Sequence, residues 1–187
     1  MVILFLKIGD TTETLCDVVL LATGYKMSFP FLSDTLLPTD GNRVRLYKYV
    51  FSPALKHPKT LAFIALVQPL GAVFPIAELQ SRWFAGLMAN RRTLPYSHRM
   101  NEDIERKERF QKRFYSSQRH TIQVDWIPFM DELADEVGVR PNLWKYVFSD
   151  FQLWKALMFG PALPYQYRLE GIPLEYYSDH KMCEFFS

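Results

Sequence analysis

Two short glycine-containing segments lie at the ends of apolar runs in this 187-residue chain. One ends the run from Cys16 to Ala22, and the other lies between the run from Leu61 to Val67 and a segment of helical periodicity. At such strand ends α/β folds bring the backbone close to a nucleotide, because glycine permits a positive φ and a helix N-terminus presents free N–H groups. The candidate binding residues are Ala22, Thr23, Gly24, Gln68, Pro69, Leu70, Gly71 and Ala72.

The glycines do not form a phosphate-binding loop. The eight glycines, at positions 9, 24, 41, 71, 86, 138, 160 and 171, never fall two apart. A G-x-G-x-x-G turn supplies the backbone cradle and the helix N-terminus that hold a pyrophosphate. The sequence therefore contains candidate edges of a nucleotide site without its phosphate-binding turns.

Other kinds of site are not supported by the residue spacing. The four histidines have no acid or cysteine at ligand spacing, so no metal site is predicted, and no residue is identified as a catalytic acid, base or nucleophile. The formal net charge is only +2, and acidic residues dilute the basic stretch 106–113. We interpret that stretch as a solvated helix and predict no nucleic-acid partner.

Four segments have the patterns of β-strands. The run from Val2 to Ile8 is short and ends at a Gly-Asp turn. The runs 16–22 and 61–67 are apolar apart from Asp17, and we interpret them as strands that are covered on both faces. The segment 43–50 alternates with period two, which predicts a strand with one polar face.

Helical patterns dominate the rest of the chain. Residues 75–90 place Ile76, Leu79, Trp83 and Leu87 on one face. Residues 97–119 carry acids three or four positions before bases, which predicts an exposed helix with Glu102–Arg106 and Asp103–Lys107 pairs. Two further helices are predicted over 125–137, ending at Gly138, and over 151–159, capped by Ser149-Asp150 and ended by Gly160-Pro161. The fold class is therefore α/β, with a few strands within residues 1–72 and a mostly helical region over 75–160.

Several long blocks resemble the vertebrate flavin-containing monooxygenases, the dimethylaniline monooxygenase family. They are DVVLLATGYKMSFPFL, LYKYVFSPALKHPKTLAFIALVQPLGAVFPIAELQSRW, SQRHTIQVDWIPFMDELADEVGVRPNL and FGPALPYQYRL, and the resemblance covers residues 4–169 in the family's order. The sequence departs from the family because both glycine-rich loops are absent and because the residues after Leu169 follow a different pattern. The chain is therefore similar to the C-terminal portion of a family member.

This resemblance implies the C-terminal part of a flavoprotein with two dinucleotide-binding domains. Residues 1–72 would end the FAD/NADPH-domain sheet, residues 73–169 would form a helical C-terminal region, and residues 170–187 would be a divergent, irregular tail. Family members reduce FAD with NADPH and use O2 to oxygenate soft nitrogen or sulfur nucleophiles, such as amines and sulfides, through a C4a-hydroperoxyflavin. The segment 22–24 would lie at the hinge near the cofactors and 68–72 near the pyrimidine side of the reduced flavin. Each segment could instead be a turn that only the fold requires.

The resemblance also implies a location at the cytosolic face of the endoplasmic reticulum membrane. No apolar run in the chain approaches the length of a membrane span, so any membrane contact is expected to be peripheral. Aromatic residues such as Trp144 and Phe148 could provide it, although such residues more often lie in a core. Because both phosphate loops are absent, we expect the chain to be inactive alone. The alternative is a non-catalytic truncated isoform or fragment that misfolds or binds a full-length chain.

Overall fold

The fold is mixed α/β, with short strands and a larger helical part, as the sequence predicts. The computed structural model describes residues 4–7, 13–16, 18, 20–22, 26–33, 36–37, 39–40, 43–114 and 121–169. Its helices are α1 (Val73–Met88), α2 (Ser97–Phe114), α3 (Trp126–Val137), α4 (Leu143–Ser149) and α5 (Phe151–Phe159). Two short 3₁₀ turns cover Pro58–Thr60 and Pro164–Arg168.

The strands of the described residues form three two-stranded sheets. They are β1 (Leu4–Lys7), β2 (Glu13–Cys16), β3 (Thr39–Asp40), β4 (Arg43–Val44), β5 (Gln68–Pro69) and β6 (Gln123–Val124). The β1–β2 and β3–β4 pairs are antiparallel, whereas β5 and β6 are parallel. The β5–β6 pair joins two parts of the chain that are far apart in sequence, and it leads directly into α1 and α3.

The main hydrophobic core lies between α1 and α3. The predicted apolar face of α1 is confirmed, since Ile76, Leu79, Trp83 and Leu87 are all buried. Trp83 is fully buried, and the ring of Phe51 meets it edge-on with centroids 4.9 Å apart. Edge-to-face packing of this kind adds to the stabilisation from burial.

The predicted helix ends and ion pairs are mostly confirmed. Gly138 ends α3 in a left-handed conformation (φ 75°), and the Asp150 carboxylate accepts a hydrogen bond from the Leu153 N–H at the start of α5. Asp103 pairs with Lys107 at 3.4 Å, whereas Arg106 contacts Asp103 instead of the predicted Glu102. Residues 115–120 of the predicted charged helix lie outside the described residues.

The prediction of a buried strand over Cys16–Ala22 is wrong. β2 ends at Cys16, and the described residues after it are not in a strand. Leu20 is 89% exposed, and Val18 and Leu21 are exposed to a similar extent. A strand that is covered on both faces requires neighbours on each edge, and among the described residues only Cys16 of this run is paired, with Leu4 of β1.

The prediction of an alternating strand over Arg43–Val50 is also wrong. β4 contains only Arg43 and Val44, and the chain then turns with positive φ at Lys48 (48°) and Tyr49 (58°). Because of this turn Tyr47 forms a bridge with Phe51, and residues 46–52 are all buried rather than alternately exposed.

The apolar run Leu61–Val67 does not form the predicted buried strand either. Only Ala62 makes an isolated bridge, and Ala65 adopts a positive φ of 63°. The buried side chain of Gln80 on α1 explains this turn: it accepts a hydrogen bond from the Ala65 N–H at 2.8 Å and donates one to the Lys48 carbonyl at 3.5 Å. One buried amide thus satisfies backbone groups in two turns that a strand would have paired with a neighbour.

The division of the chain at residues 72 and 169 stays a prediction. The described strands do not all lie before residue 72, because β6 pairs with β5 from within the helical part. The predicted irregular tail, residues 170–187, lies outside the described residues.

Candidate functional site

The predicted segment 68–72 lies between a parallel strand pair and the N-terminus of α1. The Gln68 N–H donates to the Ile122 carbonyl at 2.8 Å, and the Leu70 N–H donates to the Val124 carbonyl at 3.1 Å. These bonds fix the segment to β6 until Gly71, where the chain turns into the helix. Ala72 is the N-cap residue of α1.

Gly71 is required at this turn by its conformation and by its neighbour. Its φ is 148°, a region that side chains rarely adopt, and a Cβ here would lie 2.9 Å from Cδ1 of Trp126. The indole N–H of Trp126 donates to the Ala72 carbonyl at 2.8 Å. The Trp126 ring therefore packs directly against the Gly71 backbone and holds the start of α1 in place.

The N-terminus of α1 has no side-chain cap among the described residues, although the Trp126 ring packs against the turn that precedes it. Its first turn contains no acidic residue, and Ala72 makes no side-chain capping bond. Gly71 and Ala72 are exposed, as are the apolar side chains of Leu70 and Phe74 on either side of them. An uncapped helix start carries a partial positive charge, so this arrangement can bind and orient an electron-rich, partly apolar group.

The polar side chains next to the β5–β6 strand pair stabilise the fold and are not suited to catalysis. Gln111 donates to the Gln123 carbonyl of β6 at 3.0 Å and to the Tyr49 hydroxyl at 2.8 Å. Burial raises the pKa of Tyr49 to about 12, and burial together with the Glu136 carboxylate raises the pKa of Tyr47 further. Both phenols therefore remain protonated near neutral pH and are unsuited to act as bases.

The other predicted segment is described only in part. Ala22 is exposed and belongs to no strand, while Thr23 and Gly24 lie outside the described residues. The expected proximity of 22–24 and 68–72 at a cofactor stays a prediction.

Sequence reasoning missed Trp126 and strand β6. A two-residue strand is too short to show a period, and Trp126 contacts a residue 54 positions away, which no local pattern indicates. The glycine-containing turn just before a predicted helix was the sequence signal for this site.

Comparison with known proteins assigns the family. The family model described as "FMO-like: Flavin-binding monooxygenase-like" matches residues 4–177. The chain therefore belongs to the flavin-binding monooxygenase-like family, and the resemblance found in the sequence is confirmed.

Individual relatives agree with this assignment. The chain is 50% identical over 156 residues to "Flavin-containing monooxygenase 5" of Mus musculus, covering 83% of this chain and 29% of the relative. It is 45% identical over 162 residues to "Flavin-containing monooxygenase 2" of Homo sapiens, covering 86% of this chain and 30% of the relative. The solved structure of S-allyl-L-cysteine S-oxygenase from Allium sativum aligns with a TM-score of 0.60 and 28% identity, covering 90% of this chain and 38% of that one. The chain thus spans under a third of the length of these curated relatives.

Within the part of the chain that the structure describes, no helix is both long and apolar enough to cross a membrane.

Proposed function

We propose that this chain supplies the flavin-facing helix of an FAD- and NADPH-dependent monooxygenase that oxygenates soft nitrogen or sulfur nucleophiles. A bound FAD would supply the oxygen-activating chemistry. The observation that carries the proposal is the uncapped start of α1 behind Gly71, held by Trp126. In this role residues 68–72 contact the flavin edge, and the exposed side chains of Leu70 and Phe74 keep water from it.

The local residues fit one part of a flavin and not the whole cofactor. Backbone N–H groups at the helix start suit the electron-rich pyrimidine edge of a reduced flavin. The space left by the missing Cβ of Gly71 is taken by the Trp126 ring, which fixes the turn that presents these groups. The pyrophosphates of FAD and NADPH require the glycine-rich turns that the sequence lacks. We therefore propose that the chain binds neither cofactor tightly and is inactive alone.

The first test is the flavin content of the purified chain after incubation with excess FAD and removal of free cofactor. We expect a colourless protein. Flavin retained at a ratio near one per chain would contradict the proposal that the phosphate-binding turns are necessary.

A chimera tests the role of residues 68–72 directly. Residues 4–169 would replace the aligned segment of the mouse flavin-containing monooxygenase 5, and flavin content and NADPH oxidation would be measured. Gly71→Ala should lower both. The matched control is Gly86→Ala at the other end of α1, where the backbone φ is not positive and a Cβ would lie 3.1 Å from Cγ of Arg92. Equal effects of the two substitutions would argue against a special role for Gly71.

A second proposal concerns peripheral contact with the cytosolic face of the endoplasmic reticulum membrane. The α4–α5 pair exposes Trp144, Phe148 (90% exposed), Phe151 and Phe159, with Lys155 among them. Aromatic and basic side chains together favour the interface of an anionic bilayer. Phe148→Ser should weaken sedimentation with anionic vesicles, whereas Phe74→Ser, at an equally exposed residue of α1, should not.

The alternative is a non-catalytic chain that binds a full-length family member. The exposed apolar residues 18, 20 and 21 favour it, because such a run is usually covered. Co-elution of this chain with the mouse relative, abolished by Leu20→Ser, would support this alternative.

A further inference from the structure

A cavity of about 410 Å³ lies at the C-terminal end of α1, between the turn that follows this helix and the loop at residues 56–59. Its size is within the range of small-molecule sites. α1 has 16 residues, so the cavity and the Gly71 turn are separated by about 24 Å at the helical rise per residue. The cavity is therefore not part of the proposed flavin-facing segment.

The floor of the cavity is apolar and its rim is cationic. Leu87 and Met100, which are almost fully buried, form the floor. Lys56, His57, Lys59 and Arg92 line it and are exposed, and none of its described lining residues carries a carboxylate.

The positive charge is concentrated in this part of the sequence. Residues 51–100 contain six lysines and arginines and one acid, Glu78, although the whole chain has a formal net charge of only +2. Glu78 is engaged elsewhere, with Arg168 and Arg82. Within the described chain no carboxylate lies at ion-pair distance from Lys56 or Lys59, so their charges are available to a ligand.

Arg92 is held in position before any ligand arrives. Its guanidinium donates to the Val137 carbonyl at the end of α3. Gly138 makes room for it, because a Cβ there would lie 2.1 Å from Nη2 of Arg92. The remaining N–H groups of a fixed guanidinium lose less entropy on binding an anion than a free side chain would.

We propose that this cavity binds a small organic phosphate. The phosphate dianion contacts Lys56, Lys59 and Arg92 at the rim, where charge-assisted hydrogen bonds are strongest. The apolar part of the ligand covers Leu87 and Met100. The proposal is independent of flavin binding, since it uses neither residues 68–72 nor a cofactor.

Phenyl phosphate is a suitable probe, because it combines a dianion with an apolar ring. The chain would be labelled with ¹³C at the methionine methyl groups and titrated at constant ionic strength with phenyl phosphate, inorganic phosphate or benzoate. We expect a saturable shift of the Met100 signal, assigned with Met100→Leu, and none of the Met130 signal, which belongs to the core away from the cavity. The Kd should be about 1 mM or lower for phenyl phosphate and weaker for the two partial analogues.

Charge removal at the rim provides the decisive comparison. Lys56→Gln with Lys59→Gln should weaken phenyl phosphate binding roughly tenfold or more. The control pair, Arg109→Gln with Lys155→Gln, removes the same charge from exposed positions on α2 and α5 and should leave the Kd unchanged. If both pairs of substitutions weakened phenyl phosphate binding equally, the general surface charge would explain the binding, and the proposal would be overturned. A Met100 signal that does not shift, in a chain whose dispersed methyl spectrum shows that it is folded, would also overturn it.

Discussion

Two apolar segments of this chain, the inner face of α1 and the run 16–22, have opposite surroundings. Ile76, Leu79 and Trp83 are buried against α3, whereas Leu20 and its described neighbours are exposed. A helix satisfies its own backbone and needs a partner for one face only, and α3 supplies that partner from the same chain. A fully covered strand needs partners on both edges and both faces. Apolar character therefore predicts burial only where the covering elements are present.

Of the substitutions in these two segments, Trp83→Ala should lower the stability of the chain most. Trp83→Ala should lower the free energy of unfolding by about 3–5 kcal/mol, because it opens a cavity beside Phe51 and Tyr47. The measurement is urea denaturation followed by circular dichroism. Trp83→Phe is the control: it keeps a ring and loses no hydrogen bond, since no described residue accepts from the buried indole N–H. Equal losses in both variants would show that the indole shape, not the filled volume, matters.

The same contrast explains how far the sequence could predict the fold. α1 was predictable because its apolar residues recur on one face over several turns. α3 and α5 were predictable from their terminal signals, Gly138 after α3 and Asp150 before α5. The short α4, with seven residues, offers less than two full turns and was missed. The strand predictions failed at 16–22, 43–50 and 61–67 because strand pairing depends on distant residues, and at the last two segments the buried Gln80 of α1 pairs with the turns instead.

Removal of the Gln80 amide should cause the next largest loss in the free energy of unfolding. Gln80→Met keeps the size of the side chain and leaves the Ala65 N–H and the Lys48 carbonyl without their partner. We expect a loss of about 2–3 kcal/mol, since buried backbone groups without partners are costly. Hydrogen exchange should also accelerate at the Ala65 amide more than at amides of α3. A variant as stable as the parent would mean that the two positive-φ turns do not depend on Gln80.

Gly71→Ala should be destabilising by about 2 kcal/mol, because its φ of 148° is strained for alanine. The added Cβ would also displace Trp126 and its bond to the Ala72 carbonyl. Tryptophan fluorescence should report the displacement, with Gly86→Ala as the control inside the same helix. The candidate site was predictable at Gly71 from sequence, but its packing partner was not. An unchanged melting temperature for Gly71→Ala would contradict the close packing seen here.

High pH should weaken the buried region and leave the exposed run unaffected. Burial raises the pKa of Tyr49 to about 12, against the lowering effect of its hydrogen bond from Gln111. The unfolded chain has a pKa near 10, so the stability from this difference is complete below that pH and is lost as the pH rises toward about 12. The raised pKa of Tyr49 alone should lower the free energy of unfolding by about 1 kcal/mol when the pH reaches about 11. Tyr49→Phe should make the decline shallower by that amount, and an unchanged slope would show that the Tyr49 phenol does not titrate differently in the folded chain.

The smallest effect on stability should come from the exposed run. Leu20 is exposed, so Leu20→Ser should change the free energy of unfolding by less than about 0.5 kcal/mol. The same substitution should raise the highest protein concentration at which light scattering still detects only monomers. The reason is that it interrupts an exposed apolar patch. Lys26→Ser, at a polar exposed position in the same part of the chain, is the control. A loss comparable to that of Trp83→Ala would mean that Leu20 is covered in solution, and that the run 16–22 finds within this chain the partners that a strand requires.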